Sequence, residues 1–167
     1  MTLLRFDTVL IVSPFADGNF WHTRAPLEWV SRVSGRGVTV PAGFVTDFAS
    51  IPRIVWPLLP KWGKYGLASV VHDYLYAVGR GLRSDADAAL LEAMEDLHES
   101  SWRYSLVYRG VRLVGDGPWQ DNARRRSAGE IRIIVDFPSD ATITWEAFRR
   151  SLVARDEHDG LVVGGLR

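Results

Sequence analysis

The chain has 167 residues, 47% hydrophobic and 24% charged, enough for one globular domain with a buried core. Lys and Arg together number 20, as do Asp and Glu, which disfavours a nucleic-acid-coating role driven by bulk charge. The absence of cysteine excludes disulfide frameworks, thiolate zinc sites, iron–sulfur sites and cysteine nucleophiles, and a three-histidine metal centre would consume nearly all of His22, His72, His98 and His158.

The opening stretch, MTLLRFDTVLIVSPFADG, holds an apolar patch that Asp7 interrupts. No small-residue cleavage site follows, so it reads as a strand and not as a signal peptide. Leu3–Ser13 carries β-branched and aromatic residues and ends at Pro14. Phe20–Val33 contains Phe20, Trp21, Trp29 and Val30 and is broken by Pro26. Gly35–Gly37 reads as a turn, and Val38–Val40 as a short strand ending at Pro41. From Tyr65 the pattern turns helical: Tyr65, Ala68, Val71, His72, Leu75 and Val78 follow the spacing of one helix face, which Gly79 and Gly81 stop. A second helix is expected from Ser84, with Asp87 as its capping-box acid and Ala86, Leu90, Ala93, Met94 and Leu97 as its buried stripe. A third spans Trp102–Val114, with Leu106, Tyr108, Val111 and Leu113 as its apolar contacts.

Residues 115–129 read as a break that ends in the basic run Arg124–Arg126. Glu130–Phe137 alternates like a strand, and Thr144–Ala154 like a short helix with Trp145, Phe148 and Leu152 on one face. The glycine-rich Gly160–Arg167 is expected to be a mobile tail. The fold class is α+β: a small antiparallel sheet on a central helical pair or trio, with a C-terminal strand–helix extension. Residues 1–119 are the expected core and 120–167 the extension. No apolar run approaches the roughly 18 residues of a membrane span.

Chemistry-bearing residues are densest in 40–76, where VPAGFVTDFASIPR, WPLLPKWGKYG and ASVVHDYLY place polar groups in apolar surroundings. Stranding such a group costs roughly 1–3 kcal/mol, so each must be paired, coordinated or shifted in pKa. The segments GFVTDFASIPR, HDYLY, RSDADAALLEAM and SLVYRGVRLVG, with Trp119, resemble the domain-of-unknown-function 1353 family over about residues 38–119. That resemblance implies a tailed-bacteriophage or prophage setting, in the virion or the cytoplasm of the infected bacterium. It implies no reaction.

One reading of the residues is a metal-dependent hydrolase. Asp47, His72 and Asp73 are its catalytic candidates, and with Asp87 they are the candidate ligands of zinc or a related divalent ion. Arg53, Arg83, Trp56 and Trp62 would hold the substrate, and in a phage setting peptidoglycan peptides are the associated substrate class. Against this, a His72–Asp47 hydrogen bond that locks loop to helix explains both residues without metal. His72 and Asp73 lie about 100° apart on a helix and cannot both point squarely at one ion. Asp87 is most simply a capping acid, Tyr74 and Tyr76 core-edge residues, and Arg124–Arg126 a solvated loop. The competing reading is a non-enzymatic virion or tail component that binds neighbouring virion proteins through sheet edges and the 120–167 extension.

Overall fold

The computed structural model describes residues 6–48, 65–98 and 100–159, with backbone alone for 156–159. Arg53, Trp56, Trp62 and the glycine-rich tail lie outside the described residues.

Five strands come first: β1 (Val12–Pro14), β2 (Trp21–Thr23), β3 (Leu27–Val30), β4 (Gly37–Val40) and β5 (Val45–Thr46). Five helices follow: α1 (Gly66–Val78), α2 (Arg83–Asp96), α3 (Ser101–Val114), α4 (Asp116–Ser127) and α5 (Trp145–Asp159). The class is α+β, as the sequence suggests. The strands form two small antiparallel sheets, β1-β2-β5 and the hairpin β3-β4. In the first, Trp21 faces Thr46 and His22 faces Val45, which sets Thr46 at the end of a two-residue strand beside α1. In the hairpin, Leu27 and Trp29 point inward and Glu28 and Val30 outward, the alternation of a half-buried strand.

Helix α1 is the central element and packs on α2, α4, β3, β4 and β5. It is buried on more than the stripe its spacing predicts, because Val70, Asp73, Tyr76 and Ala77 are also enclosed. Gly79 ends it in the left-handed conformation at φ 61°, donating its N–H to the Leu75 carbonyl at 2.8 Å. The second helix begins at Arg83, so its cap falls two residues before the expected cap Ser84. Leu82 occupies the cap, and its N–H donates to the Asp85 carboxylate at 3.4 Å. Asp87 therefore lies a turn inside the helix and caps nothing. In α3, Val107 and Val111 are buried, whereas Leu106 and Leu113 face outward.

The expected break at 115–129 is the helix α4. Asp116 sits in its first turn and Arg124, Arg125 and Arg126 in its last, both favourable to the helix dipole. These charges, with α1 to lie against, outweigh the weak helix propensity of Gly117 and Pro118. The expected strand over 130–137 is reduced to a single bridge between Phe44 and Ile133. Val45 N–H donates to the Arg132 carbonyl at 2.8 Å and Ile134 N–H to that of Gly43 at 2.9 Å. A Cβ on Gly43 would strike the Ile134 carbonyl, so only glycine lets the two segments approach. Two cores result. The larger joins Leu27, Trp29, Val40 and Phe44 to the inner faces of α1, α2 and α3. The smaller joins Phe15 and Val45 to Ile131, Ile134, Trp145, Phe148 and Leu152.

Candidate functional site

His72 and Asp73 adjoin on α1 and face different surroundings. His72 is sealed, with no exposed surface, and its Nε2 lies 3.2 Å from Asp87 Oδ1. The same oxygen accepts the Tyr76 hydroxyl at 2.6 Å, and Oδ2 accepts Arg83 Nη1 at 2.9 Å. Arg112 adds a second cation 3.5 Å from Oδ2, and Arg83 Nε pairs with Asp116 at 2.9 Å. Arg83 also donates to the Val111 carbonyl at 3.3 Å, so it ties α2 to the end of α3.

Burial dominates the titration of His72 and pushes its pKa down, which keeps the imidazole neutral. Burial alone would raise Asp87. The hydrogen bonds from His72 and Tyr76, with the Arg83 charge, outweigh it and hold the carboxyl below the usual range. With Asp87 ionised, the His72 proton is assigned to Nε2, which donates to it. Burial and the bond to Asp87 push the Tyr76 hydroxyl well above its ordinary value. Each of these groups has a partner inside the cluster, except the buried Nδ1 of His72.

Asp73 turns the other way. The Thr46 hydroxyl donates to its carboxylate in a short hydrogen bond, and Thr46 Oγ1 accepts the Phe48 N–H at 3.1 Å. Thr46 therefore fastens the loop that carries Asp47 onto α1. Phe48 takes φ 53°, rare for an aromatic residue, and is held there by that bond and by an edge-on contact with Trp21, ring centroids 5.3 Å apart. The conformation costs of order 1–3 kcal/mol, a strain that clusters at working sites.

Asp47 and Asp73 line one small cleft of about 150 Å³ with Tyr76, Asp121, Arg125 and Arg132. Arg132 is itself nearly buried, its Nε donating to the Val45 carbonyl at 3.2 Å. The basic run is thus divided by function. Arg125 faces the cleft, Arg126 donates to the Tyr76 and Ala77 carbonyls at 2.9 and 3.0 Å, and Arg124 pairs with Asp121 on the surface. Tyr76 stands between cleft and sealed cluster, its ring edge-on to Trp119 of α4 at 5.1 Å.

The four expected metal ligands do not form one set. The His72 ring turns to Asp87 and not to Asp47, and Asp73 is held by Thr46. Among the described residues no three His, Asp or Glu side chains are placed to hold a metal ion. Sequence reasoning missed Thr46, Arg125 and Arg132. Thr46 carries a signal in the T-D pair before Phe48, whereas Arg125 and Arg132 reach the site only because α4 folds back on α1.

The fold and cleft define a class: an α+β protein with a small pocket walled by carboxylates and guanidinium groups. The family model described as "Protein of unknown function (DUF1353)" matches residues 21–111, and the chain belongs to that family. The match begins before the motif-bearing stretch and stops short of Trp119. It covers Asp47, Asp73 and Tyr76 but not Asp121, Arg125 or Arg132. No curated protein and no solved structure matches the chain.

Proposed function

We propose that the protein is a phage- or prophage-encoded hydrolase of peptide bonds in peptidoglycan, virion- or tail-associated, working through the Asp47–Asp73 cleft. One observation carries this reading. Two carboxylates from separate elements meet in a solvent-reached cleft beside two guanidinium groups, next to a strained residue that the fold takes trouble to hold. The phage setting comes from the family resemblance, and the cell-wall substrate is the class associated with that setting.

The chemistry is general acid–base hydrolysis. Asp47, half-buried at the mouth, takes a proton from a water whose oxygen attacks the peptide carbonyl carbon. The carbonyl oxygen gains the negative charge, which Arg132 or Arg125 stabilises. The C–N bond then breaks, and the proton passes from Asp47 to the departing amine. Asp73, fixed by Thr46, orients the water. The free carboxylate of a wall peptide is drawn to the arginines.

The test is release of new amino groups from purified peptidoglycan by the full chain. Asp47→Asn should lower the rate about 100-fold or more while leaving the melting temperature within a few degrees. A folded wild-type chain that releases none, or an Asp47→Asn variant as active as wild type, overturns the reading.

The virion-component reading is favoured by a different observation. Trp102, Leu106 and Leu113 are 55%, 37% and 82% exposed on α3, at the spacing of one helix face. Loss of particle incorporation in a Leu113→Glu variant that still cleaves peptidoglycan would support both roles together.

A further inference from the structure

A second, larger pocket lies outside the cleft, between the β3–β4 hairpin and α2. It has a volume of about 620 Å³, within the usual range for small-molecule sites. Its origin is legible in side-chain size. Helix α2 turns Ala86, Ala88 and Ala89 toward the hairpin, and these short side chains leave a groove floored by Trp29, Val38 and Leu75. The walls are fixed in advance. Glu92 accepts the Val33 N–H at 3.1 Å, the Ser31 hydroxyl at 2.8 Å and, in a short bond, the Arg32 N–H. One carboxylate thus pins the hairpin turn to α2.

The polar groups along the groove are already engaged in holding it together. Arg32 pairs with Glu95 at 2.7 Å and with Glu92 at 3.5 Å. Ser31 Oγ accepts the Ser34 N–H, Ser34 Oγ accepts the Arg36 N–H, and Asp85 accepts the Leu82 N–H. A peptide main chain laid here would lose its hydration and find few partners in return. A hydrocarbon chain carries no such penalty. At the rim, the Arg36 guanidinium has no ion pair among the described residues.

We propose that this groove binds a free, monomeric amphiphile: a single hydrocarbon chain on Trp29, Val38, Leu75 and the α2 alanines, with one carboxylate at its end held by Arg36. The site is separate from the cleft and does not depend on the hydrolase reading.

The probe is dodecanoate below its micelle concentration, titrated into the full chain by calorimetry. One-to-one binding with a dissociation constant of about 100 µM or tighter is expected. Dodecanol, and dodecanoate on Arg36→Ala, should each bind about tenfold more weakly. Ala89→Phe should fill the groove and weaken binding at least tenfold, with its melting temperature unchanged within a few degrees. No binding at about 1 mM, equal binding of dodecanol, or an unaffected Ala89→Phe variant overturns the proposal. So does association with anionic vesicles in place of monomeric dodecanoate.

Discussion

The sealed cluster around Asp87 and the cleft at Asp47 and Asp73 hang from the same helix, one residue apart, and they solve opposite problems. In the cluster, two carboxylates and two guanidinium groups balance, and neutral His72 and Tyr76 donate to Asp87, which is fully buried while Arg112 and Asp116 reach outward to solvent. Such an arrangement fixes α1, α2 and the end of α3 to one another. In the cleft the carboxylates come from a loop, α1 and α4, the arginines from α4 and the segment after it, and the cleft is open to water. The lesson is that adjacent residues of one helix can serve a sealed bonding cluster on one side and an open cleft on the other. Asp87 is sealed among its partners, whereas Asp47 is half-buried and lines an open cleft.

The sharpest way to break this comparison is to exchange the two acids' consequences. Asp87→Ala leaves Arg83, His72 and Tyr76 facing a hole where their shared acceptor stood. It should cost about 3–5 kcal/mol in urea unfolding, a large share of the roughly 5–15 kcal/mol that holds an ordinary domain together. Asp47→Asn should cost under about 1 kcal/mol. Equal losses would mean that both acids are structural.

A second probe strikes the cluster without touching its charges. Gly115, at the α3–α4 junction, has no room for a Cβ: the atom would lie 2.5 Å from the Val111 carbonyl oxygen, 2.6 Å from the Tyr76 hydroxyl and 2.7 Å from Arg83 Nη1. Gly115→Ala should destabilise by roughly 1–3 kcal/mol through overpacking, measured by the same unfolding midpoint. An unchanged midpoint would show that the junction yields easily and that the cluster is looser than its distances indicate.

How far the sequence foretold this depends on how local each cause is. Helix α1 and its stop at Gly79 were legible because spacing and a left-handed glycine act within a few residues. So was the inward face of α5, where Trp145, Phe148 and Leu152 are all buried. Helix α4 was not, because glycine, proline and three arginines look like a loop until α1 supplies a surface to lie on. The capping role falls to Asp85 and not Asp87 because the helix cap lies two residues early, and two residues, about half a turn, separate a capping acid from a buried one. The meeting of Asp73 with Thr46 was beyond reach, because nothing local states that a two-residue strand will lie beside α1. The partner of His72 was missed for a similar reason: the pairing depends on the angle at which α1 and α2 pack.

Acidification acts on the sealed cluster. His72 and His22 are both held below the ordinary imidazole value of 6.5, by burial first and, for His22, by the nearby Arg24 charge. The unfolded chain takes up protons as pH falls through that value while the folded chain resists. Stability is therefore complete above it and declines as pH drops toward the depressed folded values. Asp87, depressed below the ordinary carboxyl value of 3.8, adds a further loss at lower pH. The melting temperature should be lower at about pH 5.5 than at about pH 7.5, and His72→Gln should flatten that slope. A midpoint that rises on acidification would mean that His72 is charged in the fold.

The smallest effects separate neighbours on α4 that sequence alone treats as one basic run. Arg126 donates to two carbonyls at the end of α1, and its guanidinium sits where a Cβ on Gly79 would be. Arg126→Ala should cost about 1–2 kcal/mol, the worth of two charged hydrogen bonds partly open to solvent. Arg124 pairs with Asp121 at 2.6 Å, but the two side chains are 74% and 56% exposed, where holding two mobile groups together gains little. Arg124→Ala should shift the unfolding midpoint by less than about 0.5 kcal/mol. Because Asp121 also lines the cleft, losing its partner should, under the proposed hydrolysis, alter the salt dependence of the rate more than stability. If Arg124→Ala costs as much as Arg126→Ala, α4 is held to α1 by its charge as a whole, and the division among the three arginines fails.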